Sequence, residues 1–172
     1  MKIAALILVA AGPAFAQADI GFPAGMVDGC SATNGGALCV GLGTTACLSE
    51  AGPQSVGLCL GAENAYWLAR IAAAEGQLRA AEAEVVAQAA RLGMPAPSMD
   101  EIAAGFAAYR TAACLWRAAQ EEGAQEEGMQ EEGMQEEGMQ EEGMHMGPEE
   151  IDCQMRLNAQ HAFWLEARVQ VR

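Results

Sequence analysis

The stretch "WLARIAAAEGQLRAAEAEVVAQAARLG", from Trp67 to Gly93, decides the fold class. Its larger apolar residues recur at three- and four-residue spacings, which is the period of one face of an α-helix. The glycine that ends it, together with Pro95 and Pro97, prevents the helix from continuing. The sequence therefore predicts one long helix from Cys59 to about Leu92. Its predicted apolar face comprises Trp67, Ile71, Ala74, Leu78, Ala81, Val85 and Leu92.

Two further helices are predicted after the prolines. Ser98 and Glu101 have the spacing of a capping box, in which each side chain pairs with a free amide at the helix start. The second helix runs from Ser98 to about Ala119, and its apolar face comprises Ile102, Phe106, Tyr109, Ala113 and Trp116. The third begins at Pro148, since proline is favoured in a first turn, and its apolar face comprises Ile151, Met155, Asn158, Ala162, Leu165 and Val169. No stretch alternates convincingly as a strand does, so we predict an all-α fold, a small disulfide-stapled bundle of about three helices.

The first residues have the three parts of a secretory signal peptide. Lys2 precedes an apolar stretch from Ile3 to Ala11, and Ala14-Phe15-Ala16 is an A-x-A cleavage site. We therefore expect residues 1–16 to be removed and residues 17–172 to form a single domain in the bacterial periplasm. Between residues 17 and 57, Gly, Ala, Cys and Ser dominate without a clear period. We expect irregular structure there, with about one helical turn.

Six cysteines follow the predicted cleavage site: Cys30, Cys39, Cys47, Cys59, Cys114 and Cys153. An even number in an oxidising compartment predicts up to three disulfides. Zinc binding is not expected, because the paired Cys and Cys/His spacings of zinc sites are absent. We predict a Cys114–Cys153 bridge that pins both ends of the segment between the second and third helices. The other four cysteines can pair in three ways, and the sequence does not choose among them.

That segment contains a five-residue repeat. The word QEEGM occurs four times from Gln125 to Met144, after an imperfect copy at Gln120–Ala124. The period matches neither a helix nor a strand, and the glycine in every copy costs helix stability. We therefore expect residues 120–147 to be a disordered acidic insert or a fraying helix.

Three roles for the repeat stay open: an inert spacer, which we favour, an acidic contact with a partner, and capture of a metal ion. Calcium sites need carboxylates held by a defined turn, which the repeat does not provide. Soft thioether ligands suit copper instead. The ligands for such a site would be Met129, Met134, Met139, Met144, His145 and Met146.

The net charge narrows the class of partner. The chain carries a formal charge of −14, and the repeat from Gln120 to Met144 contributes ten Glu and no Lys or Arg. Removing Lys2 with the signal peptide takes the charge from −14 to −15. Nucleic acid is not an expected partner, because phosphate contacts need clusters of Lys and Arg. A basic protein is the partner that this charge fits.

Three blocks, in this order along the chain, carry a resemblance to a known family. The first runs from Cys39 to Arg79, and its motif residues are Cys39-Val40-Gly41, Cys47, Gly57, Cys59-Leu60, Glu63 and Trp67. The second is "FAAYRTAAC", from Phe106 to Cys114, with Tyr109 and Arg110. The third is "CQMRLNAQHAFWLEAR", from Cys153 to Arg168, with Arg156. In these blocks the chain resembles the LprI-like family of lysozyme inhibitors, which are small exported bacterial proteins.

The resemblance implies a helical, disulfide-bonded domain whose protein partner is a lysozyme. The family-motif residues that it carries over are Glu63, Trp67, Tyr109, Arg110 and Arg156. From the residues themselves, we interpret Glu63 and Arg110 as members of an interhelical salt bridge or as solvated positions rather than as a partner surface.

The aromatic residues and the histidine of the third helix receive similar interpretations. Four aromatic residues could anchor an interface: Trp67, Phe106, Trp116 and Trp164. Trp67 and Phe106 are interpreted as core residues instead, because they lie on predicted apolar faces, and Trp116 is less certain. His161 is interpreted as a surface residue. No Ser, His or Cys is placed to form a catalytic group, so we expect neither an enzyme nor a cofactor.

Together these features predict an exported, lysozyme-inhibitor-like binding protein, an acidic partner for a basic lysozyme. Two alternatives remain: a periplasmic metal-handling protein that uses the Met/His/Glu-rich repeat, and a structural envelope protein without inhibitory activity. Membrane insertion is not expected, since no later stretch approaches the roughly 18 apolar residues of a membrane helix.

Overall fold

The protein consists of helices and their connections over the residues that its structure describes. The computed structural model describes residues 21–34, 36–129 and 147–171, and of residue 34 and residues 122–129 it gives the backbone alone. Within these ranges lie α1 (Ala24–Asn34), α2 (Leu42–Ala51), α3 (Val56–Ala80), α4 (Glu82–Arg91), α5 (Met99–Met129) and α6 (Pro148–Gln170). The all-α prediction is confirmed, but a bundle of about three helices underestimates their number.

Most of the described segment before α3 is helical, so the prediction of irregular structure there is wrong. Besides α1 and α2 it contains short 3-10 helices at Gly36–Cys39 and Pro53–Ser55. Periodicity missed these elements because each buries few side chains: α1 buries Val27, and α2 buries Cys47 and two small residues. Disulfides hold α1 and α2 in place, whereas the longer helices are held by larger buried apolar faces.

All six cysteines are paired in disulfides. The predicted Cys114–Cys153 bridge is confirmed; it joins α5 to α6 across a separation of 39 residues, with the two Cα atoms 5.7 Å apart. For the four cysteines whose pairing the sequence left open, the structure has Cys30–Cys39 and Cys47–Cys59. The first ties α1 to the 3-10 helix that follows it, and the second ties α2 to α3.

The predicted long helix is interrupted at Ala81. This residue has φ −112° and ψ 5°, so α3 ends at Ala80 and α4 begins at Glu82. The predicted apolar face is buried from Trp67 to Leu78, but α4 buries none of its residues. The interruption places the carboxylate of Glu82 beside the start of α5, where its Oε1 accepts the amide hydrogen of Met99 at 2.9 Å.

The start of α5 agrees with the prediction, and its end does not. The amide of Ser98 donates to Glu101 Oε2 at 2.7 Å, and the amide of Glu101 donates to Ser98 Oγ at 3.1 Å, which confirms the capping box. The helix then continues to Met129, so residues 120–129 follow the helical alternative of the prediction rather than disorder. A helix that is already nucleated adds residues at low cost, which offsets the glycines of the first copies. Residues 130–146, like the predicted signal peptide, lie outside the described residues.

The core lies between α3 and α6. Trp67, Met155 and Leu165 are fully buried, as expected from their positions on the predicted apolar faces. Beside them, the Arg70 guanidinium forms a two-pronged pair with Glu166, with both N···O distances at 2.6 Å. The interpretation of Trp67 as a core residue is confirmed, and so is the predicted apolar face of α6.

Candidate functional site

Glu63 is a buried carboxylate that holds the start of α2. Its Oε1 accepts the amide hydrogen of Gly41 at 2.7 Å and the indole N–H of Trp67 at 3.2 Å, while its Oε2 accepts the amide hydrogen of Thr44 at 2.7 Å. The first amides of a helix lack partners within the helix, and a carboxylate there is favoured by the helix dipole. Glu63 is fully buried and forms no ion pair with the described residues. Both the salt-bridge and the solvated interpretations of Glu63 are therefore wrong.

The glycine of the Cys39-Val40-Gly41 motif is required by the same contact. Gly41 has φ 87°, a left-handed conformation that glycine adopts without steric cost. In that conformation its amide reaches the buried carboxylate. The family-motif residues Gly41, Glu63 and Trp67 therefore form one structural unit, in which Glu63 and Trp67 are fully buried and present no surface to a partner.

Arg110 links α5 to α6 and α3 through two asparagine side chains. Its Nη1 donates to Asn158 Oδ1 at 2.8 Å, and Asn158 Nδ2 donates to Asn64 Oδ1 at 2.7 Å. An interhelical contact was predicted for Arg110, but its partner is a neutral amide rather than an acid. Asn158 is fully buried, and the sequence held a sign of this: it is the one polar residue on the predicted apolar face of α6.

Arg156 lies on the exposed side of the first turns of α6. Its Nε donates to both carboxylate oxygens of Asp152, at 2.8 and 3.0 Å, and this hydrogen bond is the main reason that its pKa is raised. Asp152 also lies 3.8 Å from the Arg117 guanidinium of α5. Exposed pairs of this kind contribute little to stability. Of the five family-motif residues, Arg156 is thus a surface residue near the Cys114–Cys153 disulfide.

Tyr109 and Trp116 face solvent, so the predicted apolar face of α5 is wrong at both positions. Their exposed fractions are 60% and 70%. The more buried side of α5 instead follows steps of four residues, through Ile102, Phe106, Arg110 and Cys114. Tyr109 and Trp116 are seven residues apart and therefore lie on one side of the helix, two turns apart. We call Tyr109 and Trp116, with the exposed Ala112 between them, the aromatic face of α5.

The acidic repeat is a direct continuation of the helix that carries the aromatic face. Helical backbone extends from Met99 to Met129 and so includes the first two copies of the repeat. Glu121, the first acidic residue of the repeat, accepts the Arg117 Nε–H at 2.8 Å. The disulfide at Cys114 fixes α5 to α6 just before Trp116. The exposed rings of the aromatic face are therefore followed along α5 by the carboxylates of the repeat, and the disulfide fixes α5 to α6.

His161 is buried, so its interpretation as a surface residue is wrong. Its ring is stacked between Phe106, at a centroid distance of 3.8 Å, and Trp164, at 5.7 Å. Burial lowers the pKa of His161; Glu75 acts in the opposite direction, and Arg110 adds to the lowering. The Nε2 atom is buried without a hydrogen-bond partner among the described residues. His161 is therefore a packing residue with a neutral ring, and Phe106 is its partner.

Comparisons with protein-family models, with curated proteins and with solved structures find no match for this chain. Across residues 21–34, 36–129 and 147–171, no group of His, Cys, Asp and Glu is arranged to hold a metal ion. The helices of the same ranges include none that is long and apolar enough to cross a bilayer. The proposed thioether and imidazole ligands from Met134 to Met146 lie outside the described residues, and Met129 is described by its backbone alone.

Proposed function

We propose that the protein is an exported binding protein that uses the aromatic face of α5 and the adjoining acidic repeat to bind a basic lysozyme. The observation that carries the proposal is the arrangement on α5, where Tyr109 and Trp116 are exposed on one side and the acidic repeat continues the same helix. The helical, three-disulfide fold is typical of a domain that folds in an oxidising compartment.

The two parts of this surface have different tasks. Exposed Tyr and Trp residues are the residue types that most often contribute large shares of binding free energy, because they bury much area and lose little conformational freedom. The carboxylates act at longer range: they increase the rate of encounter with a basic protein and are screened by salt. A strongly acidic chain with a formal charge of −14 therefore favours a basic partner.

The resemblance to the LprI-like family supports a lysozyme as that partner. Its motif residues separate into two groups in this fold. Glu63 and Trp67 hold the fold, Arg110 links three helices, and Arg156 is exposed but paired with Asp152. Tyr109 is 60% exposed on α5. Tyr109 is thus the family-motif residue that we assign to the partner surface.

Calorimetric titration of the purified protein with a basic lysozyme tests the proposal. Tyr109→Ala combined with Trp116→Ala should weaken binding by at least about tenfold at every salt concentration, because buried ring contacts are not screened. Leu115→Ala is the matched control, since Leu115 is 59% exposed on the same helix but on another side. A second control titrates cytochrome c, a basic protein with no carbohydrate-binding cleft. Equal affinity for the two basic proteins would reduce the function to charge attraction alone.

A parallel titration with Cu(I) addresses the metal-handling alternative. The variant in which Met144, His145 and Met146 are replaced by Ala removes the densest group of soft ligands. We expect the intact protein and this variant to bind Cu(I) with the same weak affinity. A tight, saturable site that the variant loses would assign the repeat to metal capture instead.

A further inference from the structure

An apolar cleft lies at the end of the α5–α6 pair remote from the Cys114–Cys153 disulfide. Its volume is about 580 Å³, within the range of roughly 300–1,000 Å³ that is usual for ligand clefts. The end of α3, the first half of α4, the start of α5 and the end of α6 form its walls. The apolar side chains that line it most prominently are Leu78, Val85, Val86, Ile102, Trp164 and Val171.

The cleft is open because α4 lies away from the core. The interruption at Ala81 redirects the chain, and no residue of α4 is buried. Val85 and Val86, on the side of α4 that lines the cleft, are 49% and 43% exposed. Trp164, on the opposite wall, also remains partly exposed. Apolar side chains that are grouped in a concave surface in this way mark a binding site more often than scattered exposed ones do.

The side chain of Arg168 lies at the rim of this cleft, where two contacts hold it in place. The guanidinium of Arg168 lies 3.5 Å above the Trp164 ring, and its Nη1 donates to the backbone oxygen of Trp164 at 2.8 Å. Trp164 is itself the outer ring of the stack that contains His161 and Phe106. The arginine is therefore oriented before any ligand arrives, which reduces the entropy that binding must overcome.

Arg168 has no carboxylate partner within the described part of the chain. Four other arginines, Arg70, Arg79, Arg117 and Arg156, are paired with acids. The acidic residue that also lines the cleft, Glu82, forms no ion pair with Arg168 and accepts the amide hydrogen of Met99 instead. The chain as a whole is acidic, with a formal charge of −14. Arg168 nevertheless places a positive charge without an acid partner beside the apolar cleft.

We propose that this cleft binds a single-chain amphiphile with an anionic head group. The acyl chain lies between α4 and α6, and the head group pairs with Arg168. The charge pattern selects this occupant: apolar walls take the chain, and one guanidinium takes one anionic group through charge-assisted hydrogen bonds. The proposal is independent of the lysozyme surface, because the cleft and the aromatic face share no residue.

Titration calorimetry of the delipidated protein with dodecanoate, below its micelle concentration, tests the site. We expect saturable binding of one molecule, at least about tenfold tighter than that of dodecyltrimethylammonium, which has the same chain and the opposite charge. Arg168→Gln should remove this preference without preventing the cationic probe from binding. Arg91→Gln is the matched control, because Arg91 is an exposed arginine of α4 that does not line the cleft.

A second variant tests the walls. Val86→Asp places a carboxylate in the cleft and should weaken dodecanoate binding by about tenfold or more, with little effect on folding because Val86 is 43% exposed. Leu115→Asp, in the middle of α5 and outside the cleft, is its control and should bind both probes like the original protein. Equal affinity of the original protein for the two probes, or unchanged binding by the Val86 variant, would overturn the proposal. Sedimentation that shows a dimer disrupted by Val86→Asp would assign the cleft to a second copy of the chain.

Discussion

At the scale of single residues, the carboxylate of Glu63 connects the start of α2 to the tryptophan at the centre of the core. The carboxylate is fully buried, so water does not readily replace the hydrogen bonds that it accepts from Thr44 and Trp67. The sequence did not reveal this role. A glutamate on an apolar helix gives the same sequence pattern whether its side chain faces solvent or caps the start of a buried helix. The partners are about twenty residues away, and periodicity along one helix does not report on them.

Glu63→Gln should lower the free energy of unfolding by about 1–3 kcal/mol. The amide group of Gln replaces one acceptor oxygen by a donor, so the amide of Gly41 or of Thr44 loses its partner in a buried position. Urea denaturation followed by circular dichroism measures the change. Glu50→Gln is the control, since Glu50 is exposed on α2 and has no role in the cap. Equal stability of the two variants would show that water reaches the start of α2.

His161 should make the protein less stable as the pH falls below neutrality. Its pKa is lowered in the folded state from the ordinary value of 6.5, so the unfolded chain takes up a proton first. The stability that depends on the neutral ring is complete above that value and is lost as the pH falls towards the folded pKa. We expect His161→Phe, which keeps the stacking and removes the titration, to flatten the profile of melting temperature between about pH 7 and about pH 5. A variant profile with the same slope as the original would place the titrating group elsewhere.

At the scale of helices, the sequence predicted those with large buried faces and missed those held by covalent bonds. The capping box and the apolar faces of α3 and α6 follow from spacing alone, because each face contacts one large partner. On α5 the prediction placed Tyr109 and Trp116 inside, because a hydrophobicity pattern cannot tell a buried ring from an exposed one. The helix interruption at Ala81 could not be predicted, because no proline or glycine lies at that position. The polar link from Arg110 to Asn158 is equally hidden, since it forms only after α5 and α6 pack.

The Cys114–Cys153 disulfide should stabilise the α5–α6 pair by roughly 3–4 kcal/mol, as its closed loop is long. Replacing both cysteines by Ser should therefore lower the melting temperature by roughly 10 °C. The same replacement in a protein whose loop is shortened to about half should cost about 0.6 kcal/mol less, because loop-closure entropy falls with length. Calorimetry of the four proteins of this cycle measures both effects. An identical cost at the two loop lengths would attribute the stabilisation to packing around the sulfur atoms.

At the scale of the whole molecule, the residues that form the core and the acidic repeat are separate. Among the residues whose side chains the structure describes, the buried ones lie outside the repeat, and the walls of the cleft lie at the other end of the α5–α6 pair. Long-range attraction can therefore be altered without altering the fold. The same separation explains why composition alone indicated a basic partner but gave no indication of the cleft, which depends on where α4 lies.

Shortening the repeat should leave folding intact and change association only at low salt. Joining Gln120 to His145 through a short Gly-Ser linker removes the ten Glu of the repeat. The melting temperature should stay the same or rise slightly, since each halving of the loop is worth only about 0.6 kcal/mol. Lysozyme binding should weaken at about 20 mM salt and match that of the original protein at about 500 mM, where charges are screened beyond about 4 Å. A large drop in melting temperature would show that the helical copies of the repeat support the core.

The disulfide at the base of the repeat also bears on how such a chain can change over generations. The repeat begins at Gln120, six residues after Cys114, and α6 begins at Pro148, five residues before Cys153. The disulfide keeps the Cα atoms of these two cysteines 5.7 Å apart, whatever the length of chain between them. A five-residue word can therefore be duplicated or lost, as short repeated DNA words often are, without a shift in how the helices meet. Each such event changes the charge by two, because every copy holds two Glu. Descendants that differ in copy number alone would share one fold and differ in the ionic strength at which they capture their partner.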